Sequence, residues 1–336
     1  DSSNITQEEK RQAFENLKPL FDRMVTDADA SPKSTEMDKF ETRYRYGEVL
    51  LGGVGDEAGK AEGGRLFKEA FTHATDGEKG QAALELAIRA GVSPVEMLKL
   101  SVDGNSNLKE GESFRGVPLP VAARNAKLLY EMQVKQLAAD KDNPTDAERA
   151  RALEMMRPDL ERMVTVADSM VTPQDDEKAS TRIALGSILL ENKDEKAKVV
   201  LSEAYSLGAS SGLLQVAGDL AVAAGAKPSD LIGGLLEQSS KEPIPPAQLD
   251  FEMKRMMEKH LQESKGMVDG KPATESESQA AALKEFEPHM AKLATILDAN
   301  VASANENLTS WNTKVESHFP EDATARQAAL DVHTKL

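Results

Sequence analysis

One proline-centred helix is spelled three times in this chain, and no other feature constrains the fold as strongly. "FENLKPLFDRMVTDAD" (14–29), "LEMMRPDLERMVTVAD" (153–168) and "LKEFEPHMAKLATILD" (283–298) align without gaps on Pro19, Pro158 and Pro288. Apolar residues fall at −5, −2, +2, +5 and +9 from each proline. They are Phe14, Leu17, Phe21, Met24 and Ala28, then Leu153, Met156, Leu160, Met163 and Ala167, then Leu283, Phe286, Met290, Leu293 and Leu297. Steps of three and four put these positions on one face of an amphipathic helix. The proline lies opposite, where water replaces the backbone bond it removes. The spacing therefore predicts one bent helix through each proline, not a new helix starting there.

The correspondence extends further. "ETRYRYGEVLL" (41–51) matches "STRIALGSILL" (180–190) at an offset of 139, and "FKEAF" (67–71) matches "LSEAY" (201–205) at 134. "AIRAGVSP" (87–94) matches "AVAAGAKP" (221–228) at 134, and "VPLPVAA" (117–123) matches "EPIPPAQ" (242–248) at 125. The organisation expected is a unit of about six helices over 1–140 and its copy over 141–264. A polar linker, 265–277, and the start of a third unit, 278–336, follow. Ala, Leu, Glu, Lys and Met are abundant and aromatics make up only 4%. Such residues favour helix. The fold expected is all-α, with tandem units stacked as an α-solenoid-like array and a long C-terminal helix.

The glycine-rich stretch "GGVGDEAGKAEGG" (52–64) invites comparison with a phosphate-binding loop. It lacks the required pattern: Val54 stands where the first glycine should be, and Ala61 follows Lys60 where Ser or Thr is needed. The drop in offset from 139 to 134 instead makes it an elongated, flexible turn between two helices. The second expanded connection, 103–117, opens with Asp103, Asn105 and Asn107 like a calcium loop. Leu108 and Phe114 occupy the positions of that loop's glycine and glutamate. Pro144 spoils the similar stretch 140–148, which reads as a linker with Thr145 or Asp146 capping the next helix.

In the second unit Leu185-Gly186-x-x-Leu189 is followed by Ala197-x3-Leu201-x2-Ala204; the first offers Tyr46-Gly47-x-x-Leu50 and Gly63-x3-Phe67-x2-Ala70. This resembles the helix pair of tetratricopeptide-type repeats over some 25 residues per unit. The family's Trp and terminal Pro are missing, as is its 34-residue period. The resemblance implies a scaffold that binds other proteins. Apart from the resemblance, small residues at these positions predict close helix–helix packing.

From Leu283 the apolar positions continue through 286, 290, 293, 297, 301, 304, 308, 311 and 315, including the single tryptophan, Trp311. The spacing predicts one helix from about 278 to 318, closed by Pro320, with coiled-coil-like periodicity. It packs on the second unit or forms a self-association seam through 283–315.

The chain carries 57 acidic and 41 basic residues, a net charge of −16, with no basic cluster. Nucleic acid and anionic membrane surfaces are poor partners for such a surface. No apolar run approaches the ~20 residues of a membrane span. Cysteine is missing, which removes disulfides and thiolate chemistry. Asp1 in place of Met reads as a trimmed or processed start. The expectation is a soluble chain, cytoplasmic or exported without disulfides, with a character that fits an exported or host-directed bacterial protein.

No pair among His73, His260, His289, His318 and His333 has metal-ligand spacing, and no nucleophile elbow occurs. No catalytic residue, cofactor or metal ligand is expected. One polar feature recurs: Arg23, Arg162 and Lys292 at +4 from the prolines, with Thr26, Thr165 and Thr295 at +7. These form a candidate ledge for a protein partner. Met253, Met256, Met257 and Trp311 are further candidates, since methionine adapts to varied surfaces. The function expected is a non-catalytic helical-repeat scaffold or adaptor for other proteins; the alternative is an enzyme with a site between helical units.

Overall fold

The computed structural model describes residues 6–54, 56–106, 108, 113–139, 143–170, 175–241, 244–264, 267–268 and 271–318, except the side chains of 7, 54, 267–268, 275 and 300–318. The described residues form thirteen α-helices, one π-turn and a two-rung hairpin, so the chain is all-α. The hairpin, β1 (Met267–Val268) and β2 (Lys271–Pro272), is antiparallel and lies in the polar linker. Two compact units divide the chain, 1–226 and 227–336.

The three proline-centred segments are single helices with the proline inside: α1 (Gln7–Ala30), α7 (Asp146–Ser169) and α13 (Glu275–His318). Pro19, Pro158 and Pro288 are all exposed. A threonine opens each helix. Thr6 and Thr145 form capping boxes with Glu9 and Glu148, and Thr274 exchanges the same bonds with Glu277. These side chains satisfy amide groups that have no partner within the helix.

The second helices, α2 (Glu36–Val49) and α8 (Asp175–Glu191), pack closely on the third, α3 (Glu57–His73) and α9 (Lys196–Ser206). Glycine permits the approach. A Cβ on Gly47 would lie 2.8 Å from the Phe67 ring, and one on Gly186 would lie 2.5 Å from Leu201. One polar lock recurs beside this contact. Arg43 of α2 grips both Asp29 oxygens (2.8 and 2.7 Å), Glu69 (3.3 Å) and the Lys39 carbonyl. Arg182 of α8 makes the same set with Asp168, Glu203 and the Lys178 carbonyl. Arg43 is buried and Arg182 half-buried, so each guanidinium's donors must be met by the protein.

The glycine-rich stretch is not a flexible turn. Residues Leu50–Val54 continue α2 as a π-turn, and α3 begins at Glu57, capped by Asp56, which accepts from the Gly59 amide. Gly59, Gly63 and Gly64 are buried inside α3. The expectation failed because glycine there serves close packing: a Cβ on Gly64 would meet Val92 at 3.1 Å and Ala90 at 3.3 Å.

The fourth to sixth helices of the first expected unit are α4 (Gly77–Arg89), α5 (Pro94–Asp103) and α6 (Leu119–Leu137); those of the second are α10 (Ser211–Ala223), α11 (Pro228–Ser239) and α12 (Pro246–Ser264). The last pair, α6 and α12, is displaced by 127 residues at both ends, not the 125 expected. The buried residues Ala122, Asn125, Ala126 and Leu129 then coincide with Leu249, Glu252, Met253 and Met256.

Candidate functional site

A groove lies beside each of the first two proline-centred helices. In the first, Phe14, Glu15 and Lys18 of α1 face Tyr46, Leu50 and Glu62 around a cavity of about 360 Å³. In the second, Leu153, Glu154, Arg157 and Glu161 of α7 face Asn192 and Asp194 around about 500 Å³. Phe14, Glu15 and Lys18 correspond to Leu153, Glu154 and Arg157 at the offset of 139. Both grooves thus have an apolar residue, a glutamate and a cation in one order. The sequence carries this signal in "ENLKP" and "EMMRP" (15–19 and 154–158), at −4 and −1 from the prolines, outside the apolar stripe that spacing picks out.

The cations are already engaged. Lys18 holds Asp22 at 3.0 Å, and the Tyr46 hydroxyl donates to the same carboxylate at 3.0 Å. Phe21 stacks on Tyr46 with ring centres 4.8 Å apart, fixing the phenol. Burial works to raise the Asp22 carboxyl, but the bonds from Lys18 and Tyr46 prevail and hold it below its ordinary value. In the second groove Arg157 spans Glu161 at 3.8 Å and Asp194. The Asp194 carboxyl is lowered by that arginine and by the Lys196 amide. Glu15 and Glu154 are exposed and have no hydrogen-bond or ion-pair partner among the described residues. Each groove therefore offers one free carboxylate beside an apolar floor, a fit for a basic side chain with an apolar neighbour; the first groove is also lined by the exposed Arg11, where the second has Ala150.

No protein-family model and no curated protein matches the chain. A solved structure titled "Computational Design of Self-Assembling Cyclic Protein Homooligomers" aligns over 87% of this chain and 98% of its own, at 13% identity and a TM-score of 0.22. That likeness is too slight to argue from.

The candidate ledge does not form a common surface. Arg23 is exposed and, among the described residues, meets only Asp27, at 3.5 Å. Arg162 is instead an internal tie, bonded to Asp103 and, at 3.3 Å, to the Ser106 hydroxyl. Lys292 is half-buried. Thr26, Thr165 and Thr295 each donate to the carbonyl four residues earlier, at 2.9, 3.2 and 3.1 Å, so their hydroxyls are satisfied within the helix. Met253 and Met256 are buried and serve the core rather than a surface, because they lie on the inward stripe of α12. Met257 is half-buried, and the Trp311 side chain lies outside the described residues. In the 103–117 connection, Asp103 is spent on Arg162, while Asn105 donates to the Ser101 and Val117 carbonyls at 2.8 Å. Among the described residues no three His, Asp or Glu side chains are placed to hold a metal ion, and no helix is long and apolar enough to cross a membrane.

Proposed function

We propose that this protein is a non-catalytic scaffold of tetratricopeptide-like helix pairs that holds segments of other proteins in its two equivalent grooves. One observation carries the proposal: an unpaired glutamate recurs beside an engaged cation and an apolar floor in both copies. The net charge of −16 adds long-range attraction for basic partners. The occupant of each groove is a short segment pairing Lys or Arg with a neighbouring apolar residue.

The test uses a displayed random-peptide library as probe, selected on the intact chain. Enriched peptides carry a basic–apolar pair. The charge reversals Glu15→Lys and Glu154→Lys each weaken binding about tenfold, as expected for a close charge pair at an interface. Peptides that lack basic residues, or that bind the double variant as tightly as the parent, sink the proposal.

A further inference from the structure

We propose that the chain also binds a second copy of itself head to tail, α1 of one molecule packing on α13 of the next. This deepens the scaffold reading and rests on it for its purpose, since end-to-end joining multiplies the grooves.

The three proline-centred helices have the same apolar stripe and three different surroundings. Helix α7 packs on α5 and α6 as well as on α8, and Leu153, Met156, Leu160, Met163 and Ala167 are all buried. Helix α1 packs on α2 and the π-turn. It buries Phe14 and Ala28, at −5 and +9, but leaves Leu17 and Met24, at −2 and +5, 44% and 53% exposed. Leu20 beside them is exposed as well. Helix α13 packs on α11 and α12, the counterparts of α5 and α6. It shows the reverse pattern, with Phe286 and Leu293 at −2 and +5 buried, Leu283 at −5 48% exposed, and Met290 and Leu297 half-buried.

Positions −2 and +5 are therefore the half of the stripe that meets a preceding helix pair; −5, +2 and +9 are the half that meets a following helix. Among the described residues, the first opening helix has no preceding helix pair against it and the last has no following helix. Each open half also carries a charge whose counterparts elsewhere in the chain reach a neighbouring helix; among the described residues Arg23 itself meets only Asp27, within its own helix and at 3.5 Å. Arg23 stands where Arg162 ties down Asp103 and Ser106. Asp298 is exposed with no ion pair among the described residues, and it stands where Asp29 and Asp168 hold Arg43 and Arg182. The two charges are opposite in sign. A contact of α1 with α13 covers both apolar rows and brings a cation to an acid. A contact of α1 with α1 would leave the Leu283 row and Asp298 open. Because the two faces differ, the contact is heterologous and extends beyond a pair unless it closes into a ring.

Sedimentation velocity on the full chain, from micromolar to submillimolar concentration, tests this. The parent associates progressively beyond the dimer. Met24→Asp and Leu283→Asp, both at exposed positions, are each monomeric with helicity unchanged by circular dichroism. Mixed together, they form a dimer and nothing larger, because each retains the face the other lacks. Arg23→Glu weakens association about tenfold, and adding Asp298→Arg to the same chain restores it. A monomeric parent, a loss with only one of the two variants, or a mixture that yields no dimer overturns the proposal. So does association that appears only after residues 319–336 are removed, since that segment would then occupy the α13 face. The groove test, read on the monomeric Met24→Asp chain, separates failure here from failure of the scaffold reading.

Discussion

Gly47 and Gly186 set how closely the second and third helices of each copy approach, and both act by lacking a side chain. Alanine at either site would place a methyl 2.8 Å from Phe67 or 2.5 Å from Leu201, closer than a close-packed core accepts without a shift. Each substitution lowers unfolding free energy by about 1–3 kcal/mol. Gly52→Ala meets nothing within 4 Å, and stays within about 1 kcal/mol of the parent. Chemical denaturation of the three variants checks the ranking; equal losses would refute it. A second residue-scale effect depends on pH. Hydrogen bonding to His73 lowers the Glu36 carboxyl from 4.5 to about 2 against the opposing effect of burial, with help from Lys39 and Arg115. A pKa depressed by folding contributes stability that is complete above the ordinary value and lost as pH falls towards the folded one. The melting-temperature advantage of the parent over Glu36→Gln therefore shrinks between pH 4.5 and 2, and a constant difference across that window contradicts the assignment. The glycines were legible in the sequence from their position in matched helix pairs. The Glu36 cluster was not, because His73 and Arg115 stand 37 and 79 residues away and no spacing rule links them.

Among the elements, the proline-crossing helices test what a proline does on an exposed face. A proline inside a helix costs about 3 kcal/mol relative to alanine, so its replacement helps if the neighbours tolerate a straighter helix. Helix α1 is packed on one side and α7 on both. Pro19→Ala should stabilise by about 1 kcal/mol or more, while Pro158→Ala gains nothing or loses a similar amount through disturbed packing. Equal gains at the two sites in thermal unfolding would break the link between bend and packing. Helix type and the proline-crossing stripe were readable from periodicity. The register of the sixth helices was not, since the prolines around 118–120 and 243–246 can be paired in more than one way. Tandem Pro245–Pro246 delays the start of α12, because a residue before proline is biased away from helical angles.

For the whole molecule, the compact division at 226 gives a prediction about autonomy. A chain ended at Ala226 keeps α7 over α5 and α6 and unfolds in one cooperative thermal transition. A chain ended at 140, the first repeat boundary, strips that cover and leaves apolar residues of α5 and α6 in water. It should melt at a lower temperature with a broader transition; a 1–140 chain as stable as 1–226 would show that α7 adds little. The sequence alone determined that the chain is helical, that each of the three proline-centred segments passes through its proline as one helix, and where small residues admit a neighbour. These follow from local periodicity and side-chain size, which every copy carries within itself. Only the tertiary structure decided that Arg162 ties α7 to a distant helix while Arg23 pairs only within its own helix, that Met253 and Met256 are core, and which half of each opening stripe is open. An apolar period records that a face is suited to burial; whether anything covers it depends on elements distant in the chain.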